Sequence, residues 1–372
     1  MTHFRTPVLP PEIWLYIHRL ATSETTPLAT AQSAGFQYAA PADPLQSIHY
    51  FLWDVCSFVL VCRLWNSLAN ELLYENVEVP KNEHSFSTLS ATLERPGTAR
   101  LVRSIRFSRS RFDHNFAILA LCPQVRVVCQ PDPKSFTVVF NAAGDLPTFH
   151  FLKHVYWTES FKTSASLRAI LQAAPNLENL FLDPSPMWVP APVEKCELPP
   201  IPNLRRLACS GFLRASVSYI LKLDLQRLTR LGCAPSHIEL PDFPTLPVLA
   251  TLELFGSRQR IQFATLFAHC PRVHTLCYDV WNALVAPDSA PSPPVPLTYV
   301  RLHSAVVFKS VRDWVLIERH FDLLLAPEFP RIARLVLEGS WHHDVADVRF
   351  ARLLDGVRAQ GCQLEFPEGF VR

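Results

Sequence analysis

The sequence predicts an α/β solenoid, and three observations carry that prediction. Short segments of the type L-x-x-L-x-L recur along the chain from about residue 100. Stretches with helical periodicity lie between several of them. The chain also holds 33 prolines against 10 glycines, a balance that breaks long helices and central strands and suits many short elements joined by rigid connections.

The recurring segments read LVRSIRF, QVRVVCQ, FLKHVYW, NLENLFL, NLRRLAC, RLTRLGC, VLATLEL, RVHTLCY, LTYVRLH, RIARLVL and CQLEF. Their central apolar residues are Ile105, Val128, Val155, Leu180, Leu207, Leu231, Leu252, Leu276, Val300, Leu335 and Leu364. Successive steps are 23, 27, 25, 27, 24, 21, 24, 24, 35 and 29 residues. A repeat of about 20–29 residues that supplies one short strand and a return segment is the spacing of a leucine-rich repeat. No single repeat buries its apolar face; stacking neighbours makes one continuous core. Uneven lengths and the absence of a regular Asn after each strand predict an irregular, degenerate leucine-rich-repeat horseshoe over residues 80–372.

The returns TSASLRAILQAAPNL, ASVSYILKLDLQRL, RIQFATLFAHCPRV and SVRDWVLIERHFDLLL read as helices. Ala-Pro-Asn-Leu, Cys-Pro-Arg-Val and Phe-Pro-Arg-Ile stand just ahead of strands, where proline stops a helix and sets the entry. VAPDSAPSPPVP, residues 285–296, reads as a flexible loop.

Residues 1–79 read as a separate small helical region with a long internal loop over 22–50. In LPPEIWLYIHRL, Pro10 and Pro11 sit where a helix begins, and Glu12 favours its positive end. Ile13, Ile17 and Leu20 then form one apolar stripe. Further on, Phe58, Val61, Trp65, Leu68 and Leu72 form a second helical seam. Helices this short need each other, the next domain or a partner to bury their faces.

The pattern Leu9-Pro10-x-x-Ile13, followed by Asp54-Val55-Cys56-x-Phe58-x-Leu60-Val61-Cys62-Arg63-x-Trp65, resembles the F-box. LANELLYENVEV resembles the stretch by which many members leave that motif. In the family, this three-helix unit docks onto the small Skp-type adaptor of cullin–RING ubiquitin ligases. The resemblance implies adaptor contact through Leu9, Pro10, Ile13, Val55, Phe58 and Leu60, with Cys62 and Trp65 holding the helices together. The family joins its first two helices by a short turn; here some 29 residues, 22–50, intervene.

Strand side chains that alternate with the buried ones are the candidates for holding a protein ligand: Arg206, Arg230, Thr251, Glu253, Thr275, Asp279, Tyr299, Arg301, His303, Arg334 and Glu338. Arg and Tyr are favoured at interfaces, and Arg206, Arg230, Arg301 and Arg334 suit an acidic segment.

A net charge of +2 gives no basic surplus for nucleic acid, and the most apolar stretch, 51–65, is too short and too charged to span a membrane. The ten cysteines include no CxxC pair and sit in apolar contexts, as reduced core thiols do. With no signal-peptide layout at the start, the expected setting is cytoplasm or nucleus. No nucleophile, phosphate-loop or dinucleotide motif is present. Trp341-His342-His343-Asp344 reads as an exposed polar turn rather than a metal site. The expected function is that of a substrate receptor in a Skp–cullin–F-box ligase, not an enzyme and without a cofactor. The alternatives are a leucine-rich scaffold unconnected to ubiquitin and an enzyme of unrecognised type.

Overall fold

In a computed structural model of the chain, the described residues are 72–107, 112–130, 146–157, 164–182, 199–209, 225–233, 245–254, 259–261, 263–281, 283–285, 296–304, 310–327, 329, 331–339, 341 and 347–366. They form an α/β structure of parallel strands and fall into two compact units. Residues up to 157, with 164–177, make the first; those from 178 onwards make the second.

The first unit runs β1 (Asn76–Glu78), α1 (Glu83–Leu93), a 3-10 turn (Thr98–Arg100), β2 (Ser104–Arg106), α2 (Phe112–Leu121), β3 (Val127–Gln130), β4 (His154–Trp157) and α3 (Ser164–Ala173). Its strands pair in parallel and in chain order, with Val77, Ile105, Val128 and Val155 as successive register partners. All four are buried.

The second unit runs β5 (Asn179–Leu182), β6 (Arg206–Cys209), β7 (Arg230–Cys233), β8 (Thr251–Leu254), β9 (Gln259–Ile261), α4 (Phe263–His269), β10 (Thr275–Asp279), β11 (Ala283–Val285), β12 (Tyr299–Ser304), α5 (Val311–Leu325), β13 (Arg334–Gly339), α6 (Val348–Ala359) and β14 (Gln363–Glu365). Strands β9 and β11 form a separate two-stranded pair. The other eight form one parallel sheet in chain order. Leu180, Leu207, Leu231, Leu252, Leu276, Val300, Leu335 and Leu364 stand side by side along it. These are the same central residues that the sequence spacing picks out. The first seven are buried and Leu364, on the last strand, is partly open.

Two backbone devices repeat. A four-residue turn precedes the strand, closed by a bond of 3.0–3.3 Å from its fourth amide to its first carbonyl: Cys122–Val125, Phe149–Leu152, Ala174–Leu177, Ile201–Leu204, Leu225–Leu228, Leu246–Leu249 and Cys270–Val273. Both ends of each turn are buried. Five carry proline second, at Pro123, Pro175, Pro202, Pro247 and Pro271, where its fixed φ suits a turn and no amide donor is needed. At the strand entry, one carbonyl then accepts two successive amides from the next repeat. Glu178 O takes Arg205 and Arg206; Arg205 O takes Thr229 and Arg230; Thr229 O takes Ala250 and Thr251; and the pattern continues to Thr298 O with Ala333 and Arg334.

Helices α3, α4 and α5 occupy the expected returns, and α1, α2 and α6 add three that the sequence reading leaves out. The fourth expected return, 215–228, lies outside the described residues except for its last four. So do 22–50 and, apart from Val285 and Pro296, the 285–296 loop. Helix α5 opens with a capping box between Ser310 and Asp313 and buries Trp314, Ile317, Phe321 and Leu324 at the 3–4 spacing of an amphipathic helix.

Three expectations change. Strand β1 pairs with β2, the buried Leu72 precedes it, and the Glu75 carbonyl accepts the Arg103 amide, so the first sheet begins before the boundary expected at residue 79. Alternation of buried and open side chains holds in β12 but not in β5 to β8 or β10, where every residue after the first is buried. Parallel strands are commonly withdrawn from water on both faces. Trp341 belongs to the core instead of an exposed turn: it stacks on Phe350 at 5.3 Å and its indole N–H donates to Leu302 O at 3.2 Å.

The in-register column predicts a sharp contrast in strand β8. Leu252→Ala should destabilise the chain by about 2–5 kcal/mol in urea unfolding, whereas Thr251→Ala, one residue earlier and half-exposed, should change it by less than about 0.5 kcal/mol.

Candidate functional site

The polar strand residues of the second unit share one face because side chains two apart on a strand point the same way. Register then sorts them into three rows. Arg206, Arg230, Thr251, Thr275, Tyr299 and Arg334 form the row at the strand starts. Glu253, Cys277 and Arg301 form the next, two residues further along. Asp279, His303 and Glu338 form the third.

Most of these groups pair with one another. Arg230 bonds Glu253 on the neighbouring strand, and Arg334 bonds Glu365. Arg301 lies 3.2 Å from Glu338 and donates to the Tyr299 hydroxyl at 3.2 Å. The guanidinium groups of Arg301 and Arg334 both lie over the Tyr299 ring, at 5.8 and 5.2 Å from its centre, so one aromatic ring receives two cations. His303 Nδ1 stands 3.0 Å from one Asp279 oxygen, while the other accepts the Trp281 amide at 2.8 Å. Trp281 donates its indole N–H to Ser304 at 3.0 Å.

Tyr299, Arg301, His303 and Arg334 are thus brought together. Arg206 and Arg230 stand directly opposite each other on β6 and β7. Glu253 and Asp279 differ from the expectation of open strand side chains: they are 1% and 3% exposed. Their carboxyl groups turn to cationic or donor groups on adjoining segments and lose contact with water. Leu9, Pro10, Ile13, Val55, Phe58 and Leu60 lie outside the described residues. Sequence reading missed Glu365 and Trp281. Glu365 lies two residues after Gln363 in the recognised last strand, so its row was deducible; the Trp281 contacts depend on how the chain turns after β10 and left no periodic signal.

Burial pushes the Glu253 carboxyl from 4.5 up to about 7; Arg230, and more weakly Arg301, pull the other way. One Glu253 oxygen has no hydrogen-bond partner. Burial also pushes the thiols of Cys122, Cys270 and Cys277 up to about 12, which keeps them protonated and poorly nucleophilic near neutral pH. All cysteines among the described residues are buried and unbridged. Among those residues, no group of three or more His, Cys, Asp or Glu side chains gathers at metal-binding distance, and no helix is long and apolar enough to cross a membrane.

No family model matches the chain, and no curated protein matches it.

The raised Glu253 carboxyl has a definite sign in stability. Its folded-state value lies above the unfolded one, so the folded chain binds the proton more tightly and loses stability as pH rises from about 4.5 to about 7. Relative to the native chain, Glu253→Gln should therefore be more stable at pH 8 than at pH 5, by about 1–3 kcal/mol in urea unfolding. An equal difference at the two pH values would show that the carboxyl titrates near its ordinary range.

Proposed function

We propose that this chain is the substrate-receptor subunit of a Skp–cullin–F-box ubiquitin ligase, with an irregular leucine-rich-repeat horseshoe as its target-binding part. The observation that carries the binding half is the gathering of Tyr299, Arg301, His303 and Arg334 on neighbouring parallel strands, held by ion pairs and cation–π contacts. Aromatic and arginine side chains held in fixed positions favour protein recognition, because little conformational freedom is left to lose on binding. Arg206, Arg230 and Glu253 extend the same face towards β6.

The ligase half rests on the F-box resemblance of residues 9–65. In this reading Leu9, Pro10, Ile13, Val55, Phe58 and Leu60 meet the Skp-type adaptor, and through it cullin. The chain itself supplies proximity: one end holds the ligase and the other the target. The ubiquitin chemistry belongs to partner subunits.

Two sets of substitutions separate the halves. In the full chain, Leu9→Asp with Ile13→Asp and Phe58→Asp should abolish co-purification with the Skp-type adaptor and leave the urea-unfolding midpoint unchanged. Adaptor binding that survives them would leave a leucine-rich scaffold unconnected to ubiquitin as the better reading. Tyr299→Ala with Arg301→Ala should keep the adaptor and lower target capture at least about tenfold, as removal of interface anchors does. Any truncation intended to isolate the repeats should stop before the buried Leu72.

A further inference from the structure

Three arginines on the polar face of the second unit meet glutamates by one geometric rule. Arg230 is the register partner of Thr251 and bonds Glu253, two residues further along β8. Arg301 is the register partner of Val336 and meets Glu338, two further along β13. Arg334 is the register partner of Gln363 and bonds Glu365, two further along β14. Such diagonal positions on adjacent strands lie roughly 8 Å apart and share a face, within reach of long side chains. Each of these arginines therefore finds its carboxylate on the next strand, at the same diagonal.

Arg206 stands in the same frame without its acid. Its register partner is Arg230, so the diagonal position is Gly232, which has no side chain to offer. Its other neighbour in the row is the uncharged Asn179. Arg206 has no hydrogen-bond or ion-pair partner among the described residues. It is half-buried, which limits how far water can screen it. The Gly232 backbone is buried, so an incoming group meets the guanidinium from its solvent side. In two of the three internal pairs the glutamate side chain is itself 29% and 27% exposed, so this diagonal is a place that reaches the surface.

We propose that Arg206 receives one carboxylate side chain, aspartate or glutamate, of the target protein, in the place that a glutamate of this chain fills for Arg230, Arg301 and Arg334. The site rests on the reading of this face as the target-binding surface, and it narrows that reading. Three of the four arginines are engaged within the chain and stay so; the fourth, beside a position with no side chain, takes its partner from outside. The planar guanidinium suits a carboxylate because two parallel N–H donors match its two oxygens. Recognition then needs a single acidic residue at one strand position rather than an acidic run along the whole face.

The test is fluorescence anisotropy of a fluorescein-labelled hexaglutamate peptide titrated with the full-length chain at constant ionic strength, with hexaglutamine as the uncharged control. The native chain should bind hexaglutamate and not hexaglutamine. Arg206→Gln should lose at least about fivefold in affinity with an unchanged circular-dichroism spectrum. Arg205→Gln removes the same charge from the exposed neighbouring residue and should change affinity less than about twofold. Gly232→Glu supplies the missing internal carboxylate and should weaken binding as much as Arg206→Gln does, whereas Gly232→Ala should bind as the native chain does. Should Gly232→Glu fail to fold, the contrast between Arg206→Gln and Arg205→Gln decides alone. Absence of hexaglutamate binding overturns the proposal, as does native affinity in Arg206→Gln. Equal losses in Arg206→Gln and Arg205→Gln also overturn it and show attraction by diffuse charge only. The broader reading is scored separately: if Tyr299→Ala with Arg301→Ala still lowers target capture, the receptor function stands and only this site falls.

Discussion

Eight strand entries among the described residues depend on a carbonyl that accepts two amides at once. That shared bond places the next repeat's first strand residue beside its predecessor's, and the same geometry recurs from Arg103 O with Arg126 and Val127 to Thr298 O with Ala333 and Arg334. Because the side-chain period along a strand is two, a slip of one residue would turn Leu207 or Leu252 away from the core and bring a charged neighbour in. Entry bonds and the aliphatic column therefore specify the same register from two directions, one through backbone polarity and one through burial.

Five of the 33 prolines serve the turn that leads to this bond. Each repeat must stop its return segment, reverse within four residues and enter a strand with its amides correctly aimed. Proline at the second turn position fixes φ and has no donor to waste, which reduces the freedom lost on folding. Glycine is needed only where the backbone demands it. At Gly339 φ is +92°, and a Cβ there would stand 2.2 Å from the Ser304 carbonyl oxygen, so the end of β13 can lie against β12 only if that side chain is absent.

Much of this was legible in sequence because the parallel strands recur at similar spacing and leave a period. The eleven central residues from Ile105 to Leu364 follow from spacing alone, and the structure aligns them as register partners within each unit. Val77 escaped because its segment, ENVEV, carries one core aliphatic in a three-residue strand and lies beside helical periodicity. Helices α1 and α2 escaped because one is polar at most positions and the other gathers its polar residues, Asp113, His114 and Asn115, in its first turn and is apolar after them, so neither shows a clear stripe. The rows of the polar face were legible from alternation. The burial of Glu253 and Asp279 was not, since it depends on which side chains on adjoining segments fold towards them.

That burial changes what the polar face is. A row of open arginines would be a diffuse electrostatic surface, screened by salt over about 10 Å. The structure instead pairs Arg230 with Glu253, Arg301 with Glu338, and Arg334 with Glu365, each across neighbouring strands. Pairs of this kind add little to folding stability, because desolvation offsets much of their attraction. They do restrict where each guanidinium points, and Tyr299 restricts two of them again through its ring. A partner meeting this face would have to match an ordered alternation of charge rather than a simple excess of one sign. Arg206 breaks that alternation, standing opposite another arginine with no carboxylate of its own among the described residues. A position that violates local charge balance inside an otherwise consistent register is where function, rather than folding, best accounts for the residue present.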